Sequence, residues 1–179
     1  MNKVANPRKP FRLNVGFIIN APIGYNRDFD FDFPQYKDDD LIISDLQGLV
    51  NVGRTPQGLI VQGNFSGKTT LECVRCLEEY QQCLKWEFTE LFAFSQENMT
   101  ESGLLVPDDA QIDLQSLVRE YAVLEFPIKP ICREDCKGLC MECGQNLNEK
   151  DCGHRAEIDS PFLALKEFFT KHSDEEELN

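Results

Sequence analysis

The middle of the chain alternates apolar and polar residues with a period of two, the pattern of half-buried β-strands. Residues 41–52 and 59–71 flank a Gly- and Pro-containing turn at residues 53–58, which predicts a hairpin. A third run, residues 84–94, places its large apolar side chains on one face, at Leu84, Trp86, Phe88, Phe92 and Phe94. These runs predict a curved antiparallel sheet or split barrel, with Gly63 and Gly67 as bending points.

The N-terminal 40 residues differ from this sheet pattern. Residues 1–13 carry basic and no acidic side chains, which indicates a flexible basic arm or, alternatively, an arm that binds RNA or acidic surfaces. Residues 14–19 are apolar enough to predict a strand. Residues 26–40 alternate Phe with Asp, which fits an edge strand, an arm lying on the body or a solvated loop.

Two helices are predicted in the C-terminal half. The first begins with Asp113 as N-cap and ends before Pro127, with Leu114, Leu117, Val118 and Tyr121 at helical spacing. The second begins with Ser160 as N-cap and has Phe162, Leu165, Phe168 and Phe169 as its apolar stripe. The predicted fold class is therefore α+β: the curved sheet or split barrel, one packed helix, a Cys-rich zinc module and a C-terminal helix. We divide it into residues 1–40, 41–126 and 127–179, the last two forming one compact unit.

Composition narrows the function. The chain has 179 residues, 41% of them hydrophobic, and a net charge of −13, which favours a globular protein and excludes a generally basic coat for nucleic acid. Any RNA contact must therefore be local or be made through a basic partner protein.

The longest early apolar run, residues 15–19, is too short for a membrane or secretory segment, so we expect a cytoplasmic protein. Eight cysteines in such a protein indicate metal or redox chemistry rather than disulfides.

The cysteines have the spacing of zinc ligands. Two C-x2-C pairs occur, Cys73 with Cys76 and Cys140 with Cys143, and a C-x2-C turn can direct two thiolates at one point. A tetrahedral zinc ion needs four nitrogen or sulfur donors. Eight candidate ligands are available once Cys83, a spare thiol on a polar strand face, is set aside: Cys73, Cys76, Cys132, Cys136, Cys140, Cys143, Cys152 and His154.

Eight ligands suffice for two zinc ions, and two groupings are open. In the first, Cys140, Cys143, Cys152 and His154 close one site locally. Cys73 and Cys76 then join Cys132 and Cys136 and tie the sheet to the C-terminal module. In the second, Cys73, Cys76, Cys140 and Cys143 share one zinc-ribbon site, and the other cysteines are idle or belong to a second site. One or two zinc ions are therefore expected. The first grouping is slightly preferred because its local site is compact. The other histidine, His172, is predicted to be a surface residue.

The sequence gives little support for a catalytic function. A redox-active C-x2-C begins a helix inside a βαβ unit, whereas Cys73 follows a long β run. The sequence contains no phosphate-binding loop, dinucleotide glycine fingerprint or nucleophile elbow. We therefore expect a protein that is not an enzyme and has no small-molecule substrate.

Several stretches resemble one known family. They comprise residues 73–78 (CVRCLE), 112–114 (IDL) with 118–120 (VRE), 126–140 (FPIKPICREDCKGLC), 143–148 (CGQNLN) and 159–166 (DSPFLALK). In this order they resemble the YceD family, the large ribosomal RNA subunit accumulation proteins. One departure is His154, where family members often carry Cys or another residue.

The resemblance implies a non-catalytic role in synthesis, processing or stability of 23S rRNA. The expected partner is a large ribosomal subunit precursor, contacted through rRNA or through a basic ribosomal protein, with no membrane involved. The alternative is a zinc-ribbon adaptor outside ribosome assembly, for example one associated with transcription. A thiol oxidoreductase is a third and weaker reading.

Overall fold

The computed structural model describes residues 9–154. Within them lie six strands, a 3-10 helix at Gln96–Asn98 and two α-helices. The strands are β1 (Arg12–Asn14), β2 (Asn26–Asp38), β3 (Leu41–Arg54), β4 (Gly58–Glu72), β5 (Glu79–Ala93) and β6 (Gln111–Asp113), and the helices are α1 (Gly16–Ile19) and α2 (Gln115–Leu124).

The main sheet is antiparallel, with strand order β2-β3-β4-β5. Phe31, Gly48, Phe65 and Trp86 lie side by side across it, so its inner face carries a row of aromatic rings. Phe65 stacks on Trp86 with ring centroids 5.7 Å apart. Since β2 and β5 are edge strands, the described residues form an open sheet and not a closed barrel.

Short elements cover the inner face. β1 pairs with β6 in a second, two-stranded sheet. Phe11, which precedes β1, is fully buried, and its ring lies 5.4 Å from that of Phe31. α2 packs its buried Leu117 and Val118 into the same core, and its Tyr121 donates a hydrogen bond to Glu90 of β5 at 2.8 Å. The aromatic and aliphatic core therefore lies between the main sheet and this layer.

The structure confirms the period-two runs as long antiparallel strands, and residues 26–40 contain the edge strand β2. The strand predicted at residues 14–19 is wrong, because α1 occupies Gly16–Ile19. Gly63 and Gly67 of β4 make room for side chains of the neighbouring strands, and their role as bending points stays a prediction. A Cβ on Gly63 would lie 2.5 Å from the ring of Phe88.

The N-terminus of α2 lies one residue later than predicted. Its N-cap position is Leu114, yet the Asp113 carboxylate still accepts a hydrogen bond from the Gln115 amide at 3.1 Å. The capping chemistry is therefore the predicted one. The basic residues before Lys9, the helix predicted from Ser160 and His172 lie outside the described residues.

Residues 127–154 contain turns and one isolated bridge, Leu139 to Asn146, but none of the helices or strands found in the described range. We call this segment the cysteine module. Between residues 9 and 154, no helix combines the length and apolar character needed to cross a membrane.

Candidate metal centre

The first C-x2-C pair lies in a tight loop between β4 and β5. The Cys73 amide donates to the Glu78 carbonyl at 2.9 Å, and the Leu77 amide donates back to the Cys73 carbonyl at 2.9 Å. Leu77 has φ 60°, a left-handed conformation that is unfavourable for a branched side chain. We call residues 73–78 the first knuckle.

The second C-x2-C pair repeats this loop. The Cys140 amide donates to the Gln145 carbonyl at 2.9 Å, and the Gly144 amide donates to the Cys140 carbonyl at 2.9 Å. Gly144, the counterpart of Leu77, has φ 72°. Residues 140–145 are the second knuckle. Two segments that differ at four of their six positions thus adopt one hydrogen-bonding pattern around their cysteines.

The first knuckle contributes to the first cluster, formed by Cys73, Cys76, Cys132 and Cys136, whose sulfur atoms all lie within 4.8 Å of one another. The Sγ atoms of Cys73 and Cys136 are 3.9 Å apart, and those of Cys76 and Cys132 are 3.7 Å apart. A Zn–S bond of about 2.3 Å gives a tetrahedron with edges of about 3.8 Å. The first cluster therefore has the dimensions of a tetrahedral thiolate site.

The second knuckle contributes to the second cluster, formed by Cys140, Cys143, Cys152 and His154, whose ligand atoms also lie within 4.8 Å of one another. The Cys140 Sγ is 3.8 Å from the Nδ1 of His154. Three thiols and one imidazole are a donor set that zinc commonly takes in structural sites. The Nε2 of His154 lies 3.8 Å from the Glu142 carboxylate, so the ring has an acidic neighbour on its other side.

Each cluster contains at least one thiol whose pKa is lowered. Burial disfavours the thiolate of Cys73, but amide hydrogen bonds, the strongest from the backbone of Cys132, outweigh it and lower the pKa to about 6. Backbone amides of Cys143 and Glu142 lower the pKa of Cys140 to about 6. Because the thiolate is the form that binds metal, each cluster presents an anionic donor near neutral pH.

Backbone and side-chain hydrogen bonds join the cysteine module to the first knuckle. The Val74 amide donates to the Pro130 carbonyl at 2.9 Å, and the Leu139 amide donates to the Arg75 carbonyl at 3.0 Å. The Arg75 guanidinium donates to the Cys136 carbonyl at 2.9 Å. Gly138 has φ 77°, and a Cβ there would lie 3.0 Å from the Arg75 carbonyl, so this close approach favours glycine.

The interior around the first cluster is made largely of thiols. Cys73, Cys76 and Cys136 form their own buried group, with Tyr80, Ile131 and Cys132 packed against it. No disulfide links any of the eight cysteines. A set of four free thiols, three of them buried, supplies little apolar area, and a bound metal ion would supply the stabilisation that is missing. The residues present therefore fit a tetrahedral metal ion.

The structure brings all eight sequence-predicted ligands into two groups of four. Cys73 and Cys76 lie with Cys132 and Cys136, not with the second knuckle as in the shared-site grouping. Cys83 is exposed on β5, away from both clusters. Sequence reasoning missed Asn148, whose side-chain amide donates to the Cys136 sulfur at 3.4 Å. The available signal was an amide side chain placed between two ligand cysteines.

Comparison with known protein families shows that the segment carrying both clusters matches one family model. The family model described as large ribosomal RNA subunit accumulation protein YceD matches residues 61–169, which is more than half of the chain and includes all eight ligands. The chain belongs to the YceD family. The match begins within β4, so the family segment includes both knuckles and the cysteine module.

The chain is also similar in sequence to individual proteins. An uncharacterised protein of Mycobacterium tuberculosis is 35% identical over 130 residues, covering 70% of this chain and 62% of that protein. A protein of Arabidopsis thaliana, named large ribosomal RNA subunit accumulation protein YCED homolog 1, chloroplastic, is 41% identical over 61 residues, covering 33% of this chain and 19% of that protein. The chain thus spans less than two thirds of the length of these two relatives. No solved structure matches it.

Proposed function

We propose that this protein is a non-catalytic zinc-binding factor in large ribosomal subunit biogenesis, supporting synthesis, processing or stability of 23S rRNA. The observation that carries the proposal is the coincidence of two facts. The chain belongs to a family named for large-subunit rRNA accumulation, and the segment matched by that family model contains two four-ligand clusters.

Zinc is the metal that the ligands support best. Thiolate and imidazole donors at tetrahedral spacing favour zinc or iron over magnesium or calcium, which prefer oxygen. All four positions of each cluster are filled by protein donors, as in structural zinc sites, whereas catalytic sites keep a position open for water. We therefore expect two structural zinc ions.

A non-catalytic role follows from the same arrangement. The Cys73 thiol lies in a loop between two strands, with three further thiols around it, and not at the start of a helix. A metal ion held by four such ligands makes the thiolates poor nucleophiles for disulfide exchange. Their proposed task is to hold the shape of the cysteine module.

The proposed partner is a large-subunit precursor, contacted more favourably through a basic ribosomal protein than through rRNA. The described part of the module mixes exposed bases (Lys129, Arg133, Lys137 and Lys150) with exposed acids (Glu134, Asp135, Glu142, Glu149 and Asp151). The chain as a whole has a net charge of −13, which repels RNA phosphate and attracts basic protein. The proposed setting is the cytoplasm, a reducing compartment that keeps ligand thiols free.

Depletion with rescue tests the proposal. Loss of the protein should lower mature large-subunit rRNA relative to small-subunit rRNA, as measured by quantitative RNA electrophoresis. Cys140→His, which retains a zinc donor, should rescue the ratio better than Cys140→Ala, which removes it. A redox mechanism requires both variants to fail equally, because neither keeps a thiol. An unchanged ratio after full depletion contradicts the ribosomal role.

Charge reversal tests the contact surface separately. Arg133→Glu with Lys137→Glu should leave zinc content unchanged, because neither side chain is a ligand. If the basic side chains contact the partner, this variant loses rescue. Retained rescue would show that the partner docks elsewhere, for example on the acidic strand β2. Crosslinking followed by mass spectrometry then identifies whether RNA or a ribosomal protein is bound directly.

A further inference from the structure

Asn148 connects the two clusters through its side chain. It lies between Cys143 and Cys152, in the segment that closes the second cluster, yet its Nδ2 donates to the sulfur of Cys136 in the first cluster at 3.4 Å. Its Oδ1 accepts a hydrogen bond from the Lys137 amide at 2.8 Å. A residue carried by one cluster therefore contacts a ligand of the other.

The orientation of the Asn148 amide is fixed by its neighbours. Because Oδ1 receives the Lys137 amide, Nδ2 is the group that faces the sulfur. The same Nδ2 donates to the Asn146 Oδ1 at 2.9 Å, and the Asn146 Nδ2 donates to the Glu78 carboxylate at 2.9 Å. The network thus runs from the second cluster's segment to the first knuckle.

A donor at this position acts on metal binding. An N–H group directed at a ligand sulfur stabilises the anionic thiolate and holds it in one orientation, and the loss of such an outer partner typically weakens metal binding by about 10- to 100-fold. The donor is present only when residues 143–152 hold Asn148 against Cys136. Metal at the second cluster fixes both ends of that segment, since Cys143 and Cys152 are ligands there.

We infer that Asn148 is a positioning residue that couples the two metal centres, so that filling the second centre tightens metal binding at the first. The inference rests on the proposed metal occupancy of both clusters. Coupling of this kind is reciprocal, so filling the first centre must favour the second by the same factor.

The test is a double-mutant cycle on the full chain. Asn148→Asp is nearly isosteric, keeps the acceptor for the Lys137 amide and removes the donor, while adding a negative charge for which Asn148→Ala is the control. Cys143→Ser with Cys152→Ser removes the second centre. The measured quantity is the zinc dissociation constant of the first centre, obtained by competition with a chromophoric chelator. Each change alone should weaken the first centre by about 10- to 100-fold. The two together should weaken it little further, because both remove the same hydrogen bond.

The absorption spectrum of bound cobalt provides a second measurement, which a general loss of protein stability would not change. In cobalt-loaded protein with an intact second centre, Asn148→Asp should shift the sulfur-to-metal charge-transfer band, because the N–H···S bond is gone. Asn148→Ala removes the donor without adding charge and should shift the band in the same direction. Asn64→Asp, an exposed change on the outer face of β4, is the matched control and should shift nothing.

The outcomes separate the inference from the proposed function. Wild-type protein that binds no zinc or cobalt at either cluster overturns both. Wild-type protein that binds two ions, with unchanged affinity and an unchanged cobalt band in both Asn148 variants, overturns the coupling alone. Fully additive effects in the cycle also overturn it, because additivity means that the second centre does not act through Asn148.

Discussion

The two clusters use the same knuckle but differ in what they join. The first cluster pairs cysteines separated by 56 and 63 positions along the chain, one partner in the loop between β4 and β5 and the other in the cysteine module. In the second cluster, the Cys140–His154 pair is separated by 14 positions, and all four ligands belong to the module. Three ligands of the first cluster are buried, whereas Cys143 and His154 of the second are exposed.

This difference in chain separation gives the two clusters different structural roles, although both have four protein donors. A link between distant parts of a chain removes more freedom from the unfolded state than a link within a short loop. The first cluster also replaces an apolar core where the module meets β4 and β5. With metal bound, the first cluster would therefore be a clasp between module and sheet, whereas the second cluster would shape the module directly and reach the clasp only through Asn148.

The largest expected effect is loss of the clasp. Cys73→Ser with Cys76→Ser should remove about one zinc ion and lower the stability of the sheet, by about 4 kcal/mol when free zinc exceeds the dissociation constant 1,000-fold. Trp86 is the single tryptophan and lies in the sheet core, so its fluorescence reports sheet unfolding in urea. Zinc content is measured by elemental mass spectrometry. Loss of both ions would favour a shared site and contradict the two-centre description.

Removal of the second centre should affect the stability of the sheet less than removal of the first. Cys143→Ser with Cys152→Ser should also remove about one zinc ion, but it should lower the Trp86 unfolding midpoint less than the Cys73/Cys76 variant does, because the first centre keeps its ligands and binds zinc with reduced affinity. Hydrogen exchange should rise in residues 140–154 and stay low in β4 and β5. A midpoint that falls as far as in the Cys73/Cys76 variant would abolish the distinction between clasp and local site.

Chelation should separate the two centres in time. The exposed Cys143 and His154 give a chelator direct access to the second centre, whereas Cys73 and Cys76 are almost fully shielded. Zinc release to an excess of chelator should therefore occur in two phases of about equal amplitude, and the fast phase should be absent from the Cys143→Ser, Cys152→Ser variant. A single phase in wild-type protein would indicate that exposure does not govern release.

Much of this comparison could be predicted from the sequence, because it depends on local spacing. Period-two alternation located β3, β4 and β5, and C-x2-C spacing located both knuckles. Contacts between distant segments were harder to predict from the sequence. The sequence left two groupings of the cysteines open, since nothing in the spacing alone shows that residues 132–136 approach the end of β4. That approach depends on tertiary contacts such as the Gly138 close packing against Arg75.

The other misses have a related cause. Residues 14–19 contain β-branched and aromatic side chains that favour a strand, yet they form α1, where tertiary packing outweighs local preference. Asn148 was passed over because an asparagine has no spacing rule of its own. Its role depends on which sulfur its amide faces, and only the folded chain shows that.

A smaller effect is expected from the backbone of the knuckles. Leu77 and Gly144 occupy the same left-handed position, so Leu77→Gly should relieve strain and Gly144→Ala should introduce it, each by about 1 kcal/mol. Leu77 is 57% exposed, so its removal costs little packing. Thermal unfolding of zinc-loaded protein measures both changes. Equal destabilisation by both variants would mean that the Leu77 side chain makes a contact that outweighs its backbone strain.

The smallest effect is expected at Cys83, the remaining cysteine. Its side chain is exposed on β5, opposite Lys68 of β4, while the neighbouring Leu84 points into the core. A thiol there has no route to either cluster, so Cys83→Ser should change neither zinc content, nor the two release phases, nor the Trp86 midpoint. The variant also removes an exposed thiol, and it should therefore slow any oxidative dimerisation through that position. A drop in zinc content would show that Cys83 is a metal ligand. The assignment of eight ligands to a buried cluster and a local cluster would then be wrong.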